Sequence, residues 1–173
     1  MELWDVYDTN RNKINKVMVR GESFKKDDYH LVVHVCLFNS KGDMLIQQSQ
    51  PFKEGWPNMW DITVGGSATK GDTSQSAAER ELFEELGLRI DLKNIRPNMT
   101  INFSNGFDDV YLIEEDVDID TLSLQYEEVQ SVKWASQEDI LIMIENGEFI
   151  PYYPSLIQLY FDSRKQYGCH QSK

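Results

Sequence analysis

Between Gly66 and Leu88 the chain reads GSATKGDTSQSAAERELFEELGL, and positions 79 to 85 hold four glutamates and one arginine. Residues three and four apart share one face of a helix, so Glu81, Glu84 and Glu85 converge while Arg80 reaches forward to Glu84. Like-charged neighbours such as Glu81 and Glu85 cost roughly 0.2 to 0.5 kcal/mol on an exposed helix. Either a cation offsets that cost or the stretch is a solvated charged face. Carboxylate oxygens suit a hard divalent ion, and Mg2+ typically takes one or two carboxylates, waters and substrate phosphate oxygens. Chemistry on a phosphate, carried by a metal, is what these side chains could do.

The elements around them have to position that face. Residues 60 to 64 (WDITV) read as a short strand, followed by Gly65-Gly66 and a polar loop containing Gly71. Asp72, Thr73 or Ser74 can cap the helix, Ala77, Ala78, Leu82, Phe83 and Leu86 supply its apolar positions, and Gly87 stands where a left-handed cap ends it. The spacing from Gly66 to Thr73 also imitates a Walker A phosphate loop. Asp72 occupies the position of the essential lysine, however, and would repel phosphate.

Composition sets the outer bounds. A chain of 173 residues, 40% hydrophobic and 12% aromatic, can bury one sizeable core, so a single domain over 1–173 is expected. With 17 basic against 29 acidic residues the net charge is -12, which argues against a nucleic-acid polymer as partner and leaves an anionic substrate to be recruited locally. The N-terminus lacks a basic region followed by an apolar stretch, and no run approaches the ~20 apolar residues of a membrane helix, so a cytoplasmic protein without membrane contact is expected. Cys36 and Cys169 alone suggest neither a disulfide framework nor a zinc site.

Along the chain, residues 3 to 7 and 14 to 19 form a predicted hairpin, an appendage over residues 1–27 on a core over 28–168. Residues 30 to 38 and 44 to 48 read as a second hairpin with Leu31, Val33, Val35 and Leu37 on one face, and 99 to 103 with 110 to 113 as a third, turning at Asn105-Gly106. A strand at 129 to 134 follows. Ser136 with Asp139 opens a helix that Gly147 ends, and a last helix spans 155 to 164. Strands and helices in this order give an α/β fold with layers around a mixed sheet. His30, His34 and Cys36 share a strand face, but about 13 Å separates the two histidines, so packing or hydrogen bonding is their expected role. Trp56 and Trp60 are candidates for a substrate pocket or for core, and Asp108, Asp109, Glu127 and Glu128 for further acids of a site. Selectivity is expected in the loops 52 to 60 and 104 to 109. The N-terminal hairpin and the aromatic C-terminal segment are candidate surfaces for a homodimer.

These residues resemble the Nudix box: Gly, five residues, Glu, seven residues, Arg-Glu, an aliphatic, any residue, Glu-Glu, any residue, Gly, aliphatic. The matching positions are Gly66, Asp72, Arg80-Glu81, Leu82, Glu84-Glu85, Gly87 and Leu88, with Asp72 replacing the pattern's first glutamate and shortening its reach by one methylene. The resemblance implies a Nudix-type α/β/α sandwich and a MutT-like hydrolase of small-molecule diphosphates dependent on Mg2+ or Mn2+. It implies Glu81, Glu84, Glu85 and the Gly66 carbonyl as metal ligands, Arg80 as the residue orienting the glutamates, and Glu128 as a catalytic glutamate just before a strand, with Glu127 as its alternative. Apart from the resemblance, Lys70 in the loop is either a phosphate contact or, as the preferred reading, a solvated loop residue. The segment HLVVHVCLFNSKGDMLIQQ with KEGWPNMW is also similar to isopentenyl diphosphate isomerases, which makes Lys53 a candidate diphosphate contact. Those isomerases place a catalytic cysteine and a metal-binding histidine where this chain has Gly65 and Ser67. A Nudix-fold binding module without catalysis is the third reading.

Overall fold

Residues 1–171 are described by the computed structural model of this protein. Strands β1 (Leu3–Tyr7) and β2 (Lys13–Val19) pair antiparallel as a separate two-stranded sheet. The main sheet is built on β3 (His30–Phe38), whose alternation divides the molecule. Leu31, Val33, Val35 and Leu37 face one core cluster, and Cys36 and Phe38 face the other.

The predicted hairpin of β3 with β4 (Met44–Ser49) is paired only at Phe38 and Met44. Beyond that point the two strands part. The predicted single strand 60 to 64 is likewise two strands, β5 (Trp60–Asp61) against β4 and β6 (Val64–Ser67) against β3. The chain crosses between them at Ile62-Thr63. Thr63 Oγ1 accepts the Leu37 N–H at 2.8 Å and donates to the Leu45 carbonyl at 2.6 Å, filling the fork with a side chain that satisfies both backbones. Local alternation cannot show such a change of partner, because it reports the face of a residue and not its neighbour.

On the far side of β3, β8 (Gly106–Glu114) runs parallel to it and β7 (Met99–Phe103) antiparallel to β8, while β9 (Val129–Ala135) pairs antiparallel with β4. The sheet is therefore mixed. Helix α1 (Ser74–Leu86) packs Ala77, Ala78, Leu82 and Leu86 on one face, and α2 (Gln137–Glu145) and α3 (Pro154–Ser163) pack Ile140, Met143, Ile157 and Tyr160 on the other. This is the α/β/α layering that the resemblance implied. Burying an aliphatic or aromatic side chain of this kind contributes about 1.5 to 3 kcal/mol. Among the described residues no helix is long and apolar enough to cross a membrane.

The N-terminal hairpin closes its own small cluster of Trp4, Val6 and Met18 with Phe24. It is anchored by reciprocal hydrogen bonds between Tyr7 and Tyr29, and by Trp4 stacked at 4.6 Å on His30. The Leu3 carbonyl accepts the Lys70 N–H at 2.7 Å, and Asp5 accepts that of Gly71 at 2.8 Å.

Candidate active site

Helix α1 begins at Thr73, which accepts from Ser76 N–H while Ser76 accepts from Thr73 N–H in a reciprocal cap. Asp72, just before it, accepts from Thr69 N–H, Thr69 Oγ1 and Ser76 Oγ at 2.9 Å each. Burial works against its charge, but these bonds and Arg80 hold its carboxyl below the usual range. The shortened acid therefore fastens the loop and the helix start. At the other end Gly87 adopts φ 68°, and the Glu85 and Leu86 carbonyls accept from Gln125 N–H at 2.9 Å and Ser123 N–H at 3.0 Å. Those bonds satisfy carbonyls that a helix end leaves open and draw the segment before β9 alongside the acids.

The acids lie over the fork between β6 and β4. Glu85 is buried and accepts from Gln47 Nε2 of β4 at 2.7 Å. Burial, with the charges of Glu81 and Glu128 nearby, pushes its pKa up to about 8. Glu81 is buried against Gly66 of β6, where an added Cβ would fall 2.7 Å from Oε2 and closer still to Oε1. Burial also raises the Glu81 pKa, although Arg80 opposes it. Glu84 is 48% exposed. Arg80 ties the group together, bonding Glu81 at 2.9 Å, Glu84 at 3.0 Å, the Ser67 carbonyl at 2.9 Å and Asp72 at 3.3 Å.

The convergence expected from spacing is thus only partial. Two glutamates are buried on the cleft side and one projects to solvent. Among the described residues no three His, Cys, Asp or Glu side chains are gathered tightly enough to hold an ion. The donor chemistry nonetheless fits a hard divalent cation. Two buried carboxylates with raised proton affinity line the cleft, Glu81 against a glycine that has no Cβ and Glu85 against Gln47, and Arg80 supplies the counter-charge. Arg80 bonds one oxygen of Glu81 and one of Glu84, which leaves the second oxygen of each carboxylate for a cation.

These groups line a cleft of about 690 Å3. Lys53 reaches into it and pairs with Glu128 at 2.5 Å, and Glu127 and Gln125 stand on the same wall. Trp56 also lines it, 53% exposed and at φ 51°, a backbone conformation uncommon for a bulky residue. Trp60 instead packs at the edge of the core around α2 and α3. On the floor His34 bonds Asp108 at 2.8 Å, which raises its pKa against the effect of burial, and Gly65 leaves room for its ring. His30 lies apart, packed between Trp4 and Phe24.

The structure places two of the sequence candidates away from this cleft. Lys70 is exposed and outside the cleft, because the hydrogen bond from its N–H to Leu3 turns its loop under the hairpin. Residues 104 to 109 do not form a loop at the cleft: Gly106 already begins β8, and its turn lies against His30. Conversely, Glu2 and Arg20 of the hairpin do line the cleft. No local pattern announces them, since some sixty residues of chain separate Arg20 from Arg80 on the same cleft. Gln47 carried a weak signal, an amide closing the apolar run of β4.

A family model described as the NUDIX domain matches residues 28–154. An uncharacterized Nudix hydrolase of Listeria innocua is 50% identical over 153 residues, 88% of this chain and 90% of that protein. An isopentenyl-diphosphate Delta-isomerase of Pectobacterium atrosepticum is 30% identical over 136 residues, 75% of this chain and 74% of that enzyme. Among solved structures, the crystal structure of DR0079 from Deinococcus radiodurans superposes with a TM-score of 0.73 at 26% identity, covering 92% of this chain and 97% of that one.

Proposed function

The chain belongs to the Nudix hydrolase family, and from that premise we propose that it hydrolyses a diphosphate linkage in a nucleoside diphosphate derivative or related small molecule, with Mg2+ or Mn2+. The observation that carries the reading is the pair of buried glutamates, Glu81 and Glu85, lining one polar cleft with Gly66, against which Glu81 packs. Glu81, Glu84, Glu85 and the Gly66 carbonyl would hold the ion, which when bound supplies Lewis-acid stabilisation of charge developing on phosphate oxygens.

The residues of the chain do the rest. Gln47 fixes one oxygen of Glu85, and the charge-assisted bonds of Arg80 set the rotamers of Glu81 and Glu84. Lys53 lies where it can exchange Glu128 for a phosphate oxygen, and that exchange leaves Glu128 free to accept a proton. Water attacks one phosphorus, the bridging P–O bond breaks towards the other phosphate, and the water's proton passes to a glutamate of the cleft, Glu85, Glu128 or Glu127. Trp56 offers an aromatic face to the group carried by the diphosphate.

The isomerase reading rests on the second similarity. A side chain at position 65, where the resemblance puts the isomerases' cysteine, would begin 2.6 Å from His34 Nε2. The floor is therefore shaped for glycine, which favours hydrolysis. The test is a panel of nucleoside diphosphates and triphosphates, nucleotide sugars and isoprenoid diphosphates with Mg2+ or Mn2+, products resolved by mass, with Glu85→Gln alongside. Metal-dependent cleavage lost in the variant supports the hydrolase. Isomerised isoprenoid product would replace it, and metal binding without any turnover would favour a binding module.

A further inference from the structure

Three basic residues line the cleft, Arg20, Lys53 and Arg80. Arg80 is committed to Asp72, Glu81, Glu84 and the Ser67 carbonyl. The other two each pair with a cleft glutamate, Arg20 with Glu2 and Lys53 with Glu128. Lys53 and Glu128 act electrostatically on Glu85, whereas Glu2, the partner of Arg20 at 2.9 Å, acts on Glu81.

The two members of the hairpin pair are held differently. Glu2 is fixed by Trp4 Nε1 at 2.6 Å, while the Arg20 side chain is 67% exposed. The strand ends are already joined by the Arg20 N–H donating to the Glu2 carbonyl at 3.0 Å, so the side-chain pair is not needed to close the hairpin. An exposed ion pair adds little stability in any case. What it does provide is a guanidinium at the rim of a strongly acidic cleft, with the planar donors that match phosphate oxygens.

We propose that Arg20 exchanges Glu2 for a phosphate oxygen of the substrate in this cleft, so that the N-terminal hairpin forms a wall of the substrate site. The proposal rests on the diphosphohydrolase reading. Glu2 then has the opposite role to Arg20, since it competes with phosphate for the guanidinium.

The opposed signs make the test. Inorganic diphosphate with Mg2+ is titrated calorimetrically into the wild type, Arg20→Ala, Arg20→Lys and Glu2→Gln, and KM and kcat are measured on any substrate cleaved. Arg20→Ala should weaken binding by about tenfold or more and raise KM with kcat largely kept, Arg20→Lys should recover part of the loss, and Glu2→Gln should bind at least as tightly as wild type. Unchanged binding in Arg20→Ala overturns the proposal alone. Equal weakening in Glu2→Gln and Arg20→Ala makes the pair structural and overturns it too. A wild type that neither binds Mg2+-diphosphate nor cleaves any substrate overturns the parent reading and this one with it.

Discussion

Glu85 sits in surroundings that favour its proton, and the consequence is measurable without substrate. In buffer stripped of divalent ions its pKa is about 8 in the folded chain against an ordinary 4.5, chiefly through burial. Between those values the native state holds a proton that the unfolded chain has lost, so stability falls as pH rises across that window. The shift corresponds to about 5 kcal/mol as an upper bound. Glu85→Gln removes this titration and keeps an acceptor for Gln47. Its thermal midpoint in EDTA should exceed the parent's at pH 8 by several degrees and converge with it near pH 4.5, while turnover with metal falls by about a hundredfold or more. Gly66→Ala should separate the two effects differently. Its Cβ has to displace the Glu81 carboxylate, so activity should drop with a smaller change in thermal midpoint.

Element by element, local chemistry was readable and changes of partner were not. The caps of α1 and α2, the glycine ending α1 and the alternation of β3 all follow from short-range patterns. Thr73 was one of three residues able to cap α1, and geometry selects it because its neighbour Asp72 is occupied with Thr69, Ser76 and Arg80. Thr73→Ala should lower stability by about 1 kcal/mol, seen as a drop of about 2 to 4 °C in thermal midpoint, with turnover nearly intact because the acids sit two turns further on. The splitting of residues 60 to 64 between two strands could not be read in advance. Nothing in WDITV distinguishes a strand that keeps its partner from one that leaves it, and only the long-range bonds of Thr63 to Leu37 and Leu45 mark the crossing.

For the molecule as a whole, the proposed activity brings an anion to a chain of net charge -12, and the cationic side chains that line the cleft come from distant segments. Lys53 and Glu128 were legible through resemblance to known patterns, whereas Arg20 was hidden because the hairpin's position depends on Trp4 stacking on His30. That dependence yields a test remote from the cleft. Trp4→Ala should loosen the hairpin, seen as faster proteolysis in residues 20 to 28, and should raise KM by about tenfold while the thermal transition of the main core shifts little.

The paired glycines at 65 and 66 have a consequence for how this sequence can vary. Both are only partly buried, a location where most substitutions are accepted, yet a methyl group at either collides with a side chain of the cleft, His34 at one and Glu81 at the other. In a saturation library selected for activity, these two positions should be as intolerant as the fully buried Leu82 or Val33, while Gly55 on the cleft rim, with nothing within 4 Å of its would-be Cβ, should accept replacement. Tolerance around this cleft is set by the reach of the side chain across the gap, and solvent exposure is a poor guide to it.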